Sequence, residues 1–213
     1  MKCPICTSET TAFVDPKPRI AYHSCPSCGY IFKSPEYHHD FPAQKARYDL
    51  HENDPDDPGY RAYFQRFLDY VLPLVPAAGG RALDFGCGAS DLLASMLTEA
   101  GYTVDRYDPI YYPDSAYASQ SYDLIVSTEV FEHLDDPLFT LRHLTERLTP
   151  NGYLVLQTQF LPDTHEAFLD WYYRLDPTHI GFFTPRTFVV MGERLGLRVL
   201  GEDGVNKMVM TKA

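Results

Sequence analysis

The chain has 213 residues, 45% of them hydrophobic and 14% aromatic, which is enough to build a sizeable core. Its formal net charge of −11 disfavours partners that bind by neutralising many phosphates, so nucleic acid is not an expected ligand. It has no apolar run of about 18 residues and no apolar leader behind a basic start, so we expect a cytoplasmic protein without a membrane span.

The first part, residues 1–35, contains two Cys-x-x-Cys pairs, Cys3/Cys6 and Cys25/Cys28. The 18 residues between them fall within the spacing typical of zinc ribbons. Two such turns provide four thiolates in a tetrahedron with no open position, so we predict a structural Zn²⁺. Two disulfides are the alternative, and the lack of a secretory signal disfavours them.

The second part, residues 36–78, starts as an acidic, loop-rich linker with its clearest turn at Asp54–Pro58. Apolar residues then follow helical spacing over Tyr60–Val75, which predicts an amphipathic helix directly before the third part of the chain.

The third part, residues 79–213, alternates short apolar runs with helical patterns, which predicts a mainly parallel sheet covered on both faces. The predicted strands are RALDF, TVDRYD, YDLIVS, GYLVLQTQ, RVLGED and NKMVMTK, the last two forming a hairpin through Gly204. The predicted helices are Ser90–Ala100, Pro137–Leu148 and Pro185–Leu195.

A glycine-rich stretch, LDFGCGASDLL, links the first of these strands to the first helix. Gly86 and Gly88 match the start of a dinucleotide fingerprint, but Asp91 occupies the third glycine position and would repel a pyrophosphate. Asp84 adds a second acid, so the loop favours a cationic cofactor without phosphates. Cys87 is expected to be a small residue packed beside that cofactor, with a reactive thiol as the alternative.

An acid at the tip of the neighbouring strand, Asp108, has the spacing of a residue that accepts hydrogen bonds from a ribose diol. The alternative is a turn acid, since Pro109 follows it. A ribose and an amine without phosphate describe S-adenosylmethionine.

Four motifs in order, LDFGCGASDLL, RYDP, YDLIVSTEVFEHLDDP and LTPNGYLVLQTQ, resemble class I S-adenosylmethionine-dependent methyltransferases over about residues 60–213. The stretch DPTHIGFFTPRTF resembles especially the small-molecule members. The resemblance implies an α/β, Rossmann-like, seven-stranded-type sheet in residues 79–213, beside an N-terminal zinc ribbon. It also implies that the helix within residues 36–78 covers the cofactor.

The same resemblance assigns roles to residues of the matching motifs. It implies that Asp84, Gly86 and Gly88 form the loop on the methionine side, with Cys87 between them. It implies that Asp108 holds the ribose.

The rim of the sheet carries three candidate catalytic residues. The resemblance places Glu129 near both cofactor and acceptor. His133 directly follows the fourth strand, and His179 lies between two predicted helices. Both are expected at the carboxyl-end rim, where ligands bind in such folds, and either could be the general base for a hydroxyl acceptor. For both histidines a turn residue bonded to backbone is the alternative.

The segment between the ribose acid and the next strand departs from the family. Pro109 to Tyr122 spans only 14 residues, so a full helix and strand do not fit and the sheet is shortened between strands 2 and 4. The adenine-edge acid of the family therefore has no clear match; Tyr111, Tyr112 and Asp114 are candidates. The exposed sheet edge predicts cover by the N-terminal segment or by a second subunit in a homodimer.

Aromatic residues are expected to form core, lid or a hydrophobic acceptor pocket. The downstream group is Phe160, Trp171, Tyr172, Tyr173, Phe182 and Phe183; the upstream group is Tyr48, Tyr60 and Tyr63. Methyl transfer to a small-molecule acceptor is the leading hypothesis. The alternatives are an RNA methyltransferase that reads RNA through the ribbon, and a cofactor-binding scaffold or regulatory protein without catalysis.

Overall fold

The computed structural model describes residues 1–50, 54–75 and 79–212, so residues 51–53 and 76–78 of the predicted linker lie outside the described residues. The strands, in chain order, are β1 (Thr11–Val14), β2 (Ala21–Ser24), β3 (Ile31–Lys33), β4 (Arg81–Phe85), β5 (Thr103–Tyr107), β6 (Tyr122–Thr128), β7 (Leu148–Gln157), β8 (Gly181–Phe182), β9 (Leu197–Glu202) and β10 (Lys207–Lys212).

The helices are α1 (Phe41–Tyr48), α2 (Pro58–Val71), α3 (Leu92–Glu99), α4 (Pro137–Arg147), α5 (His165–Asp170) and α6 (Pro185–Glu193). Short 3₁₀ helices cover Pro35–Tyr37, Ser115–Ser119, Phe131–His133 and Tyr172–Leu175. In the described ranges, no helix combines the length and apolar character needed to cross a bilayer.

The larger sheet has six strands in the order β5-β4-β6-β7-β10-β9, with β10 antiparallel to both of its neighbours and the remaining pairs parallel. Its side chains alternate between two cores, as the strand period of two requires. Leu83 and Ile125 share one core with α4 and α6. Ala82 and Leu124 share the other core with α2 and α3.

The sheet has six strands rather than the seven of the family type, because the short segment between β5 and β6 cannot hold a helix and a strand. The 3₁₀ helix Ser115–Ser119 occupies this crossover and packs beside β5. As a result β5 is an edge strand. The N-terminal strands do not cover it, which corrects that expectation; they pair with one another and with β8. A homodimer through this edge stays a prediction.

The predicted elements of the third part are present, with shifted ends. The helix predicted over Tyr60–Val75 starts at Pro58, where the Asp57 side chain caps the N–H of Gly59, and it ends at Val71. Strand β7 begins at Leu148, earlier than predicted, and includes a turn-like Asn151 with φ of 61°. The hairpin of β9 and β10 is confirmed, with Gly204 at φ of 72°.

The cysteine-bearing segment is built into the rest of the chain. Strands β1, β2, β3 and β8 form an antiparallel sheet in which Ile31 pairs with Phe182. The buried Lys33 donates its Nζ proton to the carbonyl of Asp176 at 3.1 Å, and the Thr187 hydroxyl donates to the carbonyl of Cys28 at 2.9 Å. This segment therefore positions the chain that leads into β8.

Candidate functional site

A cavity of about 820 Å³ lies at the carboxyl ends of β4, β5 and β6, under α1 and α2. Ligands bind at this edge in open α/β sheets, and the volume is in the upper range of small-molecule pockets. Its lining is rich in aromatic side chains: Phe41, Tyr48, Tyr60, Tyr63, Phe64, Phe85, Tyr107, Tyr111, Tyr117 and Phe139. Such a cavity suits flat or partly apolar ligands.

The glycine loop forms one wall of the cavity. Gly86 has φ of 76° and Gly88 φ of 63°, a conformation that glycine adopts readily and L side chains do not. The Gly86 N–H donates to the carbonyl of Tyr107 at 2.7 Å, which ties the loop to β5. A Cβ on Gly86 would overlap Val130 Cγ2. The backbone at Gly86 thus packs where no side chain fits. Asp91 is exposed at the start of α3 and does not line the cavity.

Asp84 is buried behind the glycine loop, with 2% of its surface exposed, and is not among the lining residues. Burial raises the pKa of its carboxyl to about 7, the charge of Asp108 adds to this rise, and the Arg106 guanidinium opposes it. A nearby cation would therefore favour the ionised carboxylate.

Asp108 lines the cavity, but its carboxylate already accepts hydrogen bonds from backbone N–H groups. Its Oδ2 accepts from the Gly88 N–H at 3.1 Å, and its Oδ1 accepts from the N–H groups of Ile110 at 2.8 Å and Tyr111 at 3.0 Å. This is the bonding of a turn acid. Each carboxylate oxygen has two acceptor sites, so Oδ2 can accept one further hydrogen bond.

Cys87 lines the same wall and is half-buried. Burial raises the pKa of its thiol to about 12, and the charges of Asp84 and Asp108 add to the effect. The thiolate is the nucleophilic form of cysteine, so this environment favours the packing role over a reactive thiol.

Glu129 follows β6 and also lines the cavity. Its backbone has φ of 54°, which is uncommon for a residue with a side chain, and its N–H donates to the carbonyl of Gln157 at 2.8 Å. Its Oε1 accepts from the hydroxyl of Tyr63 at 3.1 Å, and its Oε2 lies 2.9 Å from the hydroxyl oxygen of Tyr173, whose single hydrogen is shared between Glu129 and Glu132. Burial, together with the charge of Glu132, raises the pKa of Glu129 to about 8.

The structure brings His133 and His179 together at the cavity wall, with ring centroids 4.7 Å apart. The His133 Nδ1 lies 3.0 Å from the carbonyl of Thr178, and the His179 Nδ1 lies 2.7 Å from the carbonyl of Tyr173. Burial lowers the pKa of both rings, that of His179 to about 3, with the charge of His133 contributing to the latter. Burial therefore favours the neutral form of both imidazoles.

The downstream aromatic group does not line the cavity. Most of its members are buried in the cores instead, and Tyr172 is 69% exposed. The core interpretation is therefore correct and the acceptor-pocket interpretation is wrong. Tyr48, Tyr60 and Tyr63 do line the cavity as expected, while the adenine-edge candidates divide, because Tyr111 lines it and Tyr112 and Asp114 do not.

Several lining residues are not marked by any motif in the sequence. Phe41 and Gln44 come from α1, and Tyr117 comes from the 3₁₀ helix in the shortened crossover. Phe139 and His143 come from α4. No local pattern marks them, because they reach the cavity through the tertiary fold.

The four N-terminal cysteines converge at a second place. Their sulfur atoms all lie within 4.8 Å of one another, with Cys3 Sγ 3.6 Å from Cys28 Sγ and Cys6 Sγ 3.4 Å from Cys25 Sγ. All four are free thiols, since a disulfide requires about 2.05 Å between sulfur atoms.

Comparison with known proteins extends this description. A family model described as "Methyltransferase domain" matches residues 59–202, which is more than half of the chain. Two similar curated proteins are named ubiquinone biosynthesis O-methyltransferase. The one from Cereibacter sphaeroides is 31% identical over 120 residues, 46% of this chain and 47% of that protein. The one from Ralstonia nicotianae is 26% identical over 114 residues, 43% of this chain and 48% of that protein. The match spans about half the length of these relatives.

Solved structures share the fold. Magnesium protoporphyrin IX methyltransferase from Synechocystis PCC 6803, solved with bound SAH, has a TM-score of 0.53 and 15% identity, over 81% of this chain and 94% of that one. Mitomycin 7-O-methyltransferase MmcR has a TM-score of 0.52 and 16% identity, over 74% of this chain and 59% of that one.

Proposed function

Because the chain belongs to the methyltransferase domain family, we propose that it transfers a methyl group from S-adenosylmethionine to a hydroxyl of a small-molecule acceptor. The observation that carries this proposal is the glycine loop, which faces a large aromatic cavity beside Asp108. The relatives named O-methyltransferase support oxygen as the acceptor atom. The net charge of −11 favours a small acceptor over RNA.

The residues around the cavity fit this cofactor. The loop at Gly86 and Gly88 lets backbone approach a ligand closely, and Asp108 Oδ2 retains an acceptor site for a ribose hydroxyl. The buried acids Asp84 and Glu129 favour a cation nearby. Tyr107 and Tyr117, whose ring centroids lie 4.3 Å apart, offer aromatic surface for the base.

When bound, S-adenosylmethionine supplies a methyl group on a sulfonium sulfur that departs as a neutral thioether. The protein must therefore mainly hold two reactants in line, and such positioning can contribute about 7–11 kcal/mol. Helices α1 and α2 contribute side chains to the cavity lining. We assign the deprotonation of a hydroxyl acceptor to the rim formed by Glu129, His133 and His179.

We also infer that Cys3, Cys6, Cys25 and Cys28 hold a structural Zn²⁺ ion. Zinc–sulfur bonds of about 2.3 Å in a tetrahedron place sulfur atoms about 3.8 Å apart. The separations of 3.4 and 3.6 Å require only a small expansion. Four thiolates leave no position for a reactant, so the role of this ion would be to stabilise the fold.

The proposal is tested by incubating the zinc-loaded protein with methyl-labelled S-adenosylmethionine and a panel of small hydroxylated acceptors, then with extracts of small molecules. Label transfer to a hydroxyl is the expected result. Tight cofactor binding without transfer to any acceptor would favour the scaffold alternative. Transfer to added RNA alone would contradict the small-molecule assignment.

Substitution of Asp108 by alanine is expected to weaken S-adenosylmethionine binding at least tenfold, about 1.4 kcal/mol. The change removes the ribose acceptor and releases the N–H groups of Gly88, Ile110 and Tyr111. Titration calorimetry measures the affinity. Asp114→Ala is the matched control, because Asp114 also holds a backbone N–H but lies outside the cavity lining. Unchanged affinity in Asp108→Ala would reject the ribose assignment.

Cofactor affinity is expected to rise with pH between 6 and 8. In the free protein burial holds the pKa of Asp84 at about 7, raised further by Asp108 and opposed by Arg106. Below this pKa the carboxyl is protonated, and the proton must be released before the carboxylate can attract the cation. Above this pKa the carboxylate is already ionised, so binding requires no release of a proton. The dissociation constant should thus fall by about threefold to tenfold across the range.

Calorimetric titrations at several pH values check this expectation. Asp84→Asn should reduce the pH dependence to the part contributed by Glu129, whose pKa is raised to about 8, whereas Asp91→Asn, an exposed acid at the start of α3, should keep it whole. An affinity that falls with rising pH would contradict the assignment of Asp84.

A further inference from the structure

Lys33, in β3 of the cysteine-bearing sheet, is buried with 1% of its surface exposed although it carries an ammonium group. Its Nζ donates to the carbonyl oxygens of Asp176 at 3.1 Å and Pro177 at 3.3 Å. Burial lowers the pKa of the ammonium to about 8; the charge of Asp176 opposes this shift and that of Arg174 adds to it. Burying a cation costs free energy and an apolar side chain would fill the same space, so packing alone does not account for a lysine here.

The turn that accepts these hydrogen bonds reaches the cavity, because Asp176 lines it. The Asp176 Oδ1 accepts from the N–H of Thr178 at 2.9 Å and from its hydroxyl at 2.6 Å. The Asp176 Oδ2 accepts from two donors of Arg47, Nε at 3.1 Å and Nη2 at 2.8 Å. Since Arg47 belongs to α1, Asp176 joins the cysteine-bearing sheet, through its carbonyl, to α1, through its carboxylate.

Helix α1 depends on such an attachment. All eight of its residues are partly or fully exposed, and isolated helices of this length are marginal in water. The ion pair of Lys45 with Asp49 is nearly half exposed on both sides, and the bond from the Tyr111 hydroxyl to Asp49 is exposed too, so each contributes little. The pair of Arg47 with Asp176 is more enclosed, with 14% of the Asp176 side chain exposed, and is therefore the stronger tie.

Helix α1 in turn forms part of the cavity wall. It contributes Phe41, Gln44 and Tyr48 to the lining. The ring of Tyr48 lies edge-on to that of His133, with centroids 5.2 Å apart. The glycine loop has hydrogen bonds of its own, from Gly86 to Tyr107 and from Gly88 to Asp108. A displaced α1 would therefore change the wall beside the rim and leave the loop in place.

We propose that Lys33 is a positioning residue for methyl transfer. It fixes the turn at Asp176, and Asp176 fixes, through Arg47, the wall that α1 contributes to the cavity. We call these three residues the α1 anchor. The anchor stands on the geometry alone, and its effect on methyl transfer rests on the function proposed above. The cysteine-bearing segment thereby shapes the cavity in addition to stabilising the fold.

Lys33→Met tests the anchor, because it removes the ammonium and keeps most of the side-chain volume. In the zinc-loaded full chain, hydrogen exchange of the α1 amides should become at least tenfold faster, since the turn loses its donor and holds Arg47 less firmly. The amides of α3 should change by no more than about threefold. The NMR signal of the Arg47 Nε–H reports on the bond to Asp176 directly, and its exchange with water should also rise at least tenfold.

Lys212→Met is the matched control. The Nζ of Lys212 also donates to two backbone carbonyls, those of Thr145 and Leu148, each at 3.1 Å, but it belongs to β10 of the larger sheet. This variant should leave α1 exchange within about threefold of the wild type. Lys45→Met should do the same, because it breaks only the exposed pair within α1.

Arg47→Met tests the anchor from its other end. It should raise α1 exchange by a factor similar to that of Lys33→Met, and the double variant should exchange little faster than either, because both changes break one chain of contacts. Coupling is reciprocal, so Arg47→Met should also raise the exchange of the Thr178 N–H at least threefold. This measurement decides the question if Lys33→Met does not fold.

Unchanged α1 exchange in folded Lys33→Met would overturn the proposal. An equal rise in α1 and α3 would do so too, because it would show a purely structural role, as would loss of zinc from the folded variant. Multiplied effects in the double variant, or an unaffected Thr178 N–H in Arg47→Met, would also contradict the anchor.

The labelled-transfer assay tests the effect on the reaction. Lys33→Met should lower the transfer rate at least tenfold while S-adenosylmethionine affinity stays within about threefold, a split that general destabilisation would not produce. Transfer at the wild-type rate despite a loosened α1 would contradict the positioning role. Absence of transfer by the wild type would contradict only the proposed function, because the exchange measurements need no acceptor.

Discussion

Gly86→Ala is expected to reduce S-adenosylmethionine affinity by at least about 100-fold. The left-handed backbone at φ of 76° costs an alanine about 1–2 kcal/mol, and the added Cβ overlaps Val130 Cγ2 and lies 3.1 Å from Val130 Cγ1. Overpacking adds about 1–3 kcal/mol. The loop can relieve this only by moving away from Val130, which breaks its hydrogen bond to Tyr107 and deforms the cavity wall. Titration calorimetry and thermal unfolding measure the two effects.

Gly88→Ala separates overlap from backbone strain. Gly88 also has a positive φ, of 63°, but a Cβ there meets no atom within 4 Å. In this variant only the backbone strain of about 1–2 kcal/mol applies, so the affinity for S-adenosylmethionine should fall by no more than about 30-fold. Equal losses in the two variants would show that the contact with Val130 does not fix the loop.

Cys3→Ser is expected to destabilise the whole chain. Loss of one ligand should remove one equivalent of zinc per chain, and the binding free energy of a structural zinc is coupled to folding. Cys3 and Cys28 are buried in the same core as Phe183 and Phe188, so the cysteine segment cannot unfold alone. A loss of about 3–5 kcal/mol or more would lower the melting temperature by about 10 °C or more in a single transition.

Cys87→Ser is the control for this prediction, because Cys87 lies in the glycine loop, apart from the cysteine cluster. It should keep the zinc content, measured by elemental analysis, and change the melting temperature by only a few degrees. An unchanged zinc content in Cys3→Ser would contradict the proposed ligand set. Two separate melting transitions would contradict the integration of this segment into the core.

The elements of the larger sheet are predictable from the sequence because each has a long, clear apolar pattern. Helices α2, α3, α4 and α6 bury a continuous stripe, and the strands between them alternate or are wholly apolar. Helix α1 buries no residue, so it has no apolar period to detect. Strand β8 has two residues, Gly181 and Phe182, and forms only through its distant pairing with β3.

The candidate site was only partly predictable for the same reason. Motifs at strand ends led to the glycine loop, to Asp108 and to the rim histidines, because the carboxyl ends of parallel strands meet at one edge. The packing of Asp84 behind the loop and the proximity of Glu132 to His179 depend on distant segments. The downstream aromatic residues were ambiguous because burial in a core and exposure to a ligand select the same side chains.

The pairing of β3 with β8 sets an order of events during synthesis. Ile31 leaves the ribosome about 150 residues before its partner Phe182, a delay of roughly 10–30 s at ordinary elongation rates. The cysteine turns can bind a metal ion during that interval. The edge of β3 and the apolar side chains around Cys28 stay exposed until β8 and α6 have been synthesised. The nascent chain therefore carries an uncovered strand edge for most of its translation, and chaperone dependence should be greatest for this segment.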